Sequence, residues 1–144
     1  MSASQKKFFL DTNILVYTFD RTDSSKRSRA SELLVSALET RRGIISYQVI
    51  QEFLNVATRK FSDPITVPEA QLYLARILMP LCEVFPDSAL YSQALSIAGE
   101  SGMAFYDALI ISSATAGGCE TIWTEDLQHG RRIGTVTIRN PFVA

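Results

Sequence analysis

The chain has 144 residues, 47% of them hydrophobic and 20% charged, and 14 Lys and Arg against 15 Asp and Glu give a formal net charge of −1. A chain of this length buries roughly 70% of its unfolded surface, so one domain with a sizeable core is expected and a disordered chain is excluded. The near-zero charge argues against a simple basic nucleic-acid coat protein and against a polybasic membrane binder. In chain order, Phe8–Leu10 is a short apolar run that predicts a buried strand, followed by a helical turn or two over residues 14–19. Residues 25–40 predict a helix, because Ala30, Leu33, Leu34, Ala37 and Leu38 recur at helical spacing. Ser24 is its expected cap and Gly43 its expected stop. Residues 43–46 predict a second strand, and residues 47–60 a helix with Val49, Ile50, Phe53, Leu54 and Ala57 on one face. Thr66-Val67-Pro68-Glu69 has the form of a capping box and opens a helix over residues 66–79, which Pro80 is expected to end. Residues 83–85 predict strand three, 87–100 and 106–116 two more helices, and 121–123 and 135–139 strands four and five.

Strands alternating with helices imply βαβ units. The expected fold class is α/β, with three α/β/α layers around a mostly parallel sheet of about five strands. No apolar stretch is long enough for a membrane helix. Lys6-Lys7-Phe8-Phe9-Leu10 has the outline of a signal peptide, but Asp11 and Asn13 interrupt it. Two cysteines, Cys82 and Cys119, make neither a disulfide framework nor a CxxC site, which fits a cytoplasmic protein. The lone His129 reads as a loop residue rather than a zinc ligand.

The net charge hides an asymmetry. Residues 1–62 carry ten cations and six acids, whereas residues 63–144 carry four cations and nine acids. In open α/β sheets ligands bind beyond the carboxyl ends of the strands. Asp11 directly follows the first strand, and Asp126 lies three residues beyond the fourth. Glu52 falls at the rim of its helix's apolar arc, and Asp107 shares the core-facing stripe of its helix. Either position also suits a solvated or helix-terminal acid. Four carboxylates drawn to one cleft repel each other unless a hard divalent cation, Mg²⁺ or Mn²⁺, sits among them. Such a site commonly performs phosphoryl chemistry. Asn13, Ser46 and Thr124 are placed to orient the acids or their water, although each type is also an ordinary turn or cap residue.

The segment Phe9-Leu10-Asp11-Thr12-Asn13-Ile14-Leu15-Val16-Tyr17 resembles the opening motif of PIN-domain nucleases. Ser46 with Glu52 in Gln51-Glu52-Phe53 resembles the second motif, and Tyr106-Asp107-Ala108-Leu109-Ile110 the third. Thr124-Glu125-Asp126-Leu127 resembles the fourth, and Gln128-His129-Gly130 and Asn140-Pro141-Phe142 fit one subgroup. The motifs span residues 8–142 in order. The resemblance implies a PIN fold and Mg²⁺- or Mn²⁺-dependent cleavage of RNA, with Asp11, Glu52, Asp107 and Asp126 as metal-holding, catalytic acids. A PIN domain of this length is similar to the VapC toxins, which form homodimers and are held inactive by a small antitoxin.

RNA must still approach an acidic site. Arg21, Lys26, Arg27 and Arg29 cluster near the start of the 25–40 helix, and Arg131 and Arg132 follow the fourth acid. These six are the expected phosphate contacts, with a solvated basic face as the alternative. Tyr17, Phe19, Tyr47 and Phe105 can stack on unpaired bases or pack in the core. Two other functions stand beside the nuclease. A phosphatase of the haloacid-dehalogenase type shares the Asp after a strand, but it requires a second Asp where this chain has Asn13. A non-catalytic RNA-binding module would not need all four acids.

Overall fold

The computed structural model describes residues 6–143. The elements are β1 (Phe8–Leu10), α1 (Thr12–Tyr17), α2 (Ser24–Thr40), β2 (Gly43–Ser46), α3 (Tyr47–Arg59), α4 (Val67–Tyr73), a π-helical turn (Leu74–Leu78) and α5 (Met79–Leu81). There follow β3 (Cys82–Val84), α6 (Ser88–Ser101), α7 (Phe105–Ala116), β4 (Thr121–Trp123), β5 (Arg132–Ile133) and β6 (Val136–Arg139). The sheet order is β3-β2-β1-β4-β6-β5. All neighbouring pairs are parallel except β5 with β6. Helices cover both faces, with α6 along α7 and α1 against α2 and α3, so the α/β class and its three layers are as expected. Every residue of β2 is buried, as a parallel strand covered on both faces requires.

The chain leaves β1 for β2 and β3 on one side and returns as β4 on the other. The boundary between β1 and β4 is therefore a topological switch point, where a crevice opens beyond the carboxyl ends of the strands. Leu10 is in register with Trp123. The residues that follow, Asp11 and Thr124, therefore emerge side by side.

Four local expectations are corrected. The sheet has six strands, because Arg132–Ile133 and Val136–Arg139 form a hairpin. Its tight turn uses Gly134 at φ +60°, a conformation that favours glycine. Helix α2 is capped by Asp23 rather than Ser24, its carboxylate accepting the Lys26 N–H at 3.0 Å. The helix stop is Arg41 in the left-handed region, and Gly43 is needed for space instead. A Cβ at Gly43 would stand 2.3 Å from the Ala37 Cβ and 2.6 Å from the Phe8 ring. Lastly, helical backbone continues past Pro80 to Leu81. Proline lacks an N–H and its ring crowds the carbonyl four residues back. The π turn widens the helix just before it, with the Met79 N–H donating to the Leu74 carbonyl. Among the described residues no helix is long and apolar enough to cross a membrane.

Candidate active site

Asp11 is the N-cap of α1 and is buried. Its Oδ1 accepts the Thr12 N–H at 2.7 Å, and its Oδ2 accepts the Thr124 hydroxyl at 2.8 Å. Burial pushes the Asp11 carboxyl up from 3.8 to about 6. The Thr124 and Thr12 hydrogen bonds pull it back, and the charges of Glu52 and Asp126 push it up again. Three of the four motif acids thus share one electrostatic neighbourhood, drawn from the β1–α1 junction, α3 and the loop after β4.

Thr124 ties that loop down. Besides donating to Asp11, its hydroxyl accepts the Asp126 N–H at 3.1 Å and the Asn13 Nδ2 at 3.2 Å. Asn13 Nδ2 also reaches Asp126 Oδ2 at 3.1 Å, and its Oδ1 accepts the Glu125 N–H at 3.1 Å. These bonds join Asn13 and Thr124 to Asp11 and Asp126. Ser46 has a different task. Its buried hydroxyl caps α3, accepting the Val49 N–H at 3.4 Å, and makes no hydrogen bond to an acid.

Glu52 is held by Thr12, whose hydroxyl donates to Oε1 at 2.9 Å. No local pattern marks Thr12, because the contact joins elements 40 residues apart. Asp107 departs from its expected core-facing place. It is exposed in the first turn of α7, while all of residues 108–114 are buried. That helix is buried around its whole circumference over residues 108–114, so no single stripe marks its inner face, and Asp107 lies just before the packed part. It makes no hydrogen bond or ion pair to the other three acids. Among the described residues no three His, Cys, Asp or Glu side chains stand close enough to hold one ion together. The carboxylates of Asp11, Glu52 and Asp126 nonetheless offer only hard oxygens, which suit Mg²⁺ or Mn²⁺. Soft ligands lie elsewhere. Cys82 and Cys119 are buried, burial lifting the Cys119 thiol to about 12, and His129 Nδ1 accepts the Asn140 N–H at 2.9 Å.

The cations divide. Arg21, Arg27 and Arg132 are exposed and Arg131 is half-buried. Arg132 Nε donates to the Gly134 carbonyl at 3.1 Å. Arg29 lies against the Trp123 ring at 5.4 Å and reaches Glu32 at 3.5 Å. Lys26 is turned inward. Its ammonium pairs with Glu125 Oε2, donates to the Tyr17 hydroxyl at 3.3 Å and faces the Tyr17 and Phe142 rings at 4.8 and 5.3 Å. The Tyr17 hydroxyl in turn donates to Glu125 Oε1. Burial pushes Glu125 upward, but the Lys26 and Tyr17 hydrogen bonds outweigh it and hold the carboxylate below its usual range. Of the aromatic candidates, Phe19 packs with Phe53, Phe61 and Tyr73, while Tyr47 is exposed beside Phe85.

In fold the chain is similar to a chain of a toxin–antitoxin complex from Klebsiella pneumoniae. The match has a TM-score of 0.66 at 19% identity and covers 94% of this chain and 98% of that one. It is likewise similar to DNA-bound VapBC from Salmonella typhimurium, with a TM-score of 0.63, 24% identity and coverage of 94% and 98%. A third similar structure is VapC20 of Mycobacterium tuberculosis, a sarcin-ricin loop cleaving toxin. Here the TM-score is 0.59 at 16% identity, over 83% of this chain and 90% of that one. No curated protein matches the chain in sequence. The PIN-domain family model matches residues 8–133, nearly the whole chain and all four acid motifs, and the chain therefore belongs to the PIN-domain family.

Proposed function

We propose that this chain is a metal-dependent endoribonuclease of the VapC-like toxin kind, restrained by a small antitoxin and acting as a homodimer in the cytoplasm. The observation that carries the reading is Asp11, buried at the switch point of the sheet and raised to about 6 with Glu52 and Asp126 beside it. A functional carboxylate is kept in such a place at a cost in stability. Asp11, Glu52, Asp107 and Asp126 would hold Mg²⁺ or Mn²⁺, which when bound lowers the pKa of a water and polarises a phosphate oxygen. The reaction is hydrolysis. The water oxygen bonds to phosphorus, the bond from phosphorus to one sugar oxygen breaks, a carboxylate takes the water's proton and the leaving oxygen regains one from solvent. Thr124, Asn13 and Thr12 keep the acids in place through the hydrogen bonds above.

Arg21, Arg27, Arg131 and Arg132 are the side chains that best suit phosphate contact, being at least partly open to solvent. Two sets of exposed apolar side chains suit protein partners: Val67, Leu72 and Met79 along α4 and α5, and Tyr47, Phe85, Tyr91 and Tyr106. The similar structures that are toxin–antitoxin complexes support an antitoxin as one partner.

The test is incubation of purified protein with tRNA, rRNA and mRNA in Mn²⁺, Mg²⁺ or a chelator. Cleavage that needs the metal and disappears in Asp11→Asn and Asp126→Asn is expected. RNA binding without cleavage in any metal would make this a binding module and overturn the proposal. Turnover of nucleotide monophosphates alone would make it a phosphatase.

A further inference from the structure

Lys26 is the one expected phosphate contact whose charge meets a carboxylate, a hydroxyl and two aromatic rings at once. Lys26 and Glu125 are each about two-thirds withdrawn from water, with side-chain exposures of 32% and 27%. Tyr17 bridges the pair, and Phe142 packs edge-on against Tyr17 at 5.0 Å. Lys26 thus sits in an open aromatic cage with a carboxylate at its mouth. Glu125 lies between Thr124 and Asp126 on a loop with no regular secondary structure. The flanking residues bind Asp11 and Asn13, while Glu125 binds α1 through Tyr17 and α2 through Lys26. Left without a cation, Glu125 would add one more negative charge beside Asp126.

We propose that Lys26, Tyr17 and Glu125 form a clamp that fixes the 124–126 loop and thereby positions Asp126 against Asp11, so that Lys26 is a positioning residue and not an RNA contact. This rests on the nuclease reading, because Asp126 matters only if the acids hold a metal. The clamp neutralises Glu125 and leaves the loop's one remaining carboxylate, Asp126, to the site. It also joins α1, α2, the loop after β4 and the segment after β6 at one point.

The experiment compares Lys26→Met, Glu125→Gln and Lys26→Arg in the full chain. Amide exchange of residues 124–126 is followed without metal, Mn²⁺ affinity by titration, and RNA affinity in chelator across salt concentrations. Lys26→Met and Glu125→Gln should each speed exchange and weaken Mn²⁺ binding by about tenfold. They should lower kcat with little change in KM. Lys26→Arg should restore much of both, and RNA affinity and its salt slope should not move in Lys26→Met. Unchanged exchange in both variants overturns the clamp. A shallower salt slope in Lys26→Met together with tighter RNA binding in Glu125→Gln also overturns it, since that pattern belongs to a lysine that grips phosphate. Failure of the unaltered protein to bind Mn²⁺ or cleave RNA overturns the nuclease reading instead, a result that the exchange data do not mimic.

Discussion

The Thr124 hydroxyl donates to Asp11 Oδ2 at 2.8 Å across 113 residues of chain. With the Asp126 N–H and Asn13 Nδ2 as its donors, every bonding position of this fully buried hydroxyl is used. Thr124→Val keeps the shape and removes all three bonds. The variant should lose about 2 kcal/mol in urea unfolding, because one bond is to a carboxylate and two part-buried donors are left weakly paired. Activity should fall further than stability does, and Thr124→Ser should retain most of both.

Asp11 makes stability depend on pH with a definite sign. Its carboxyl binds a proton more tightly in the folded protein, at about 6, than at its ordinary 3.8. The folded state is therefore favoured by protonation. That contribution is complete below 3.8 and is lost as pH rises through 6. At about 1.4 kcal/mol per unit, the ionised, metal-free protein carries a penalty of up to about 3 kcal/mol. Asp11→Asn should consequently be more stable than the unaltered protein at pH 8 in chelator, offset by about 1 kcal/mol for a lost hydrogen bond. The gain should vanish by about pH 4, and Mn²⁺ should stabilise only the protein that keeps Asp11. Denaturant midpoints measured across pH check this; a variant less stable at every pH would contradict it.

Gly43 tests packing apart from function. Its missing Cβ makes room for Ala37 and the Phe8 ring at the start of β2. Gly43→Ala should cost about 1–3 kcal/mol by overpacking, with metal affinity per folded molecule unchanged. Thermal unfolding alongside Mn²⁺ titration separates the two quantities.

Arg27→Ala and Arg132→Ala test the proposed RNA contacts. Each should shift binding similarly for all sequences, with the slope of log affinity against log salt falling by about 0.7 per lost single-strand phosphate contact. Unchanged affinity and slope in both variants would move the RNA path away from these residues.

Much of this was legible in the sequence because it depends on short-range pattern. Helical spacing marks α2, α3 and α6 within a residue or two of their observed ends, and β1, β2 and β4 have the expected bounds. The β5–β6 hairpin was less legible, since a two-residue strand has no periodicity of its own and only the Gly134-Thr135 turn announces it. The π turn escaped because Pro80 normally ends a helix, and only tertiary packing shows the backbone widening around it.

By itself the sequence determined the alternation of strands and helices, hence the parallel sheet, and it put acids at the carboxyl ends of two strands. Only the tertiary structure decided which groups those acids and the cations near them meet. The Leu10–Trp123 register sets Asp11 beside Thr124 and brings Glu125 within reach of Lys26, 99 residues away. A lysine near a helix N-terminus has the same local pattern whether it grips a phosphate or a carboxylate. Its partner is chosen by which loop the sheet lays across it, and that is a property of the folded chain alone.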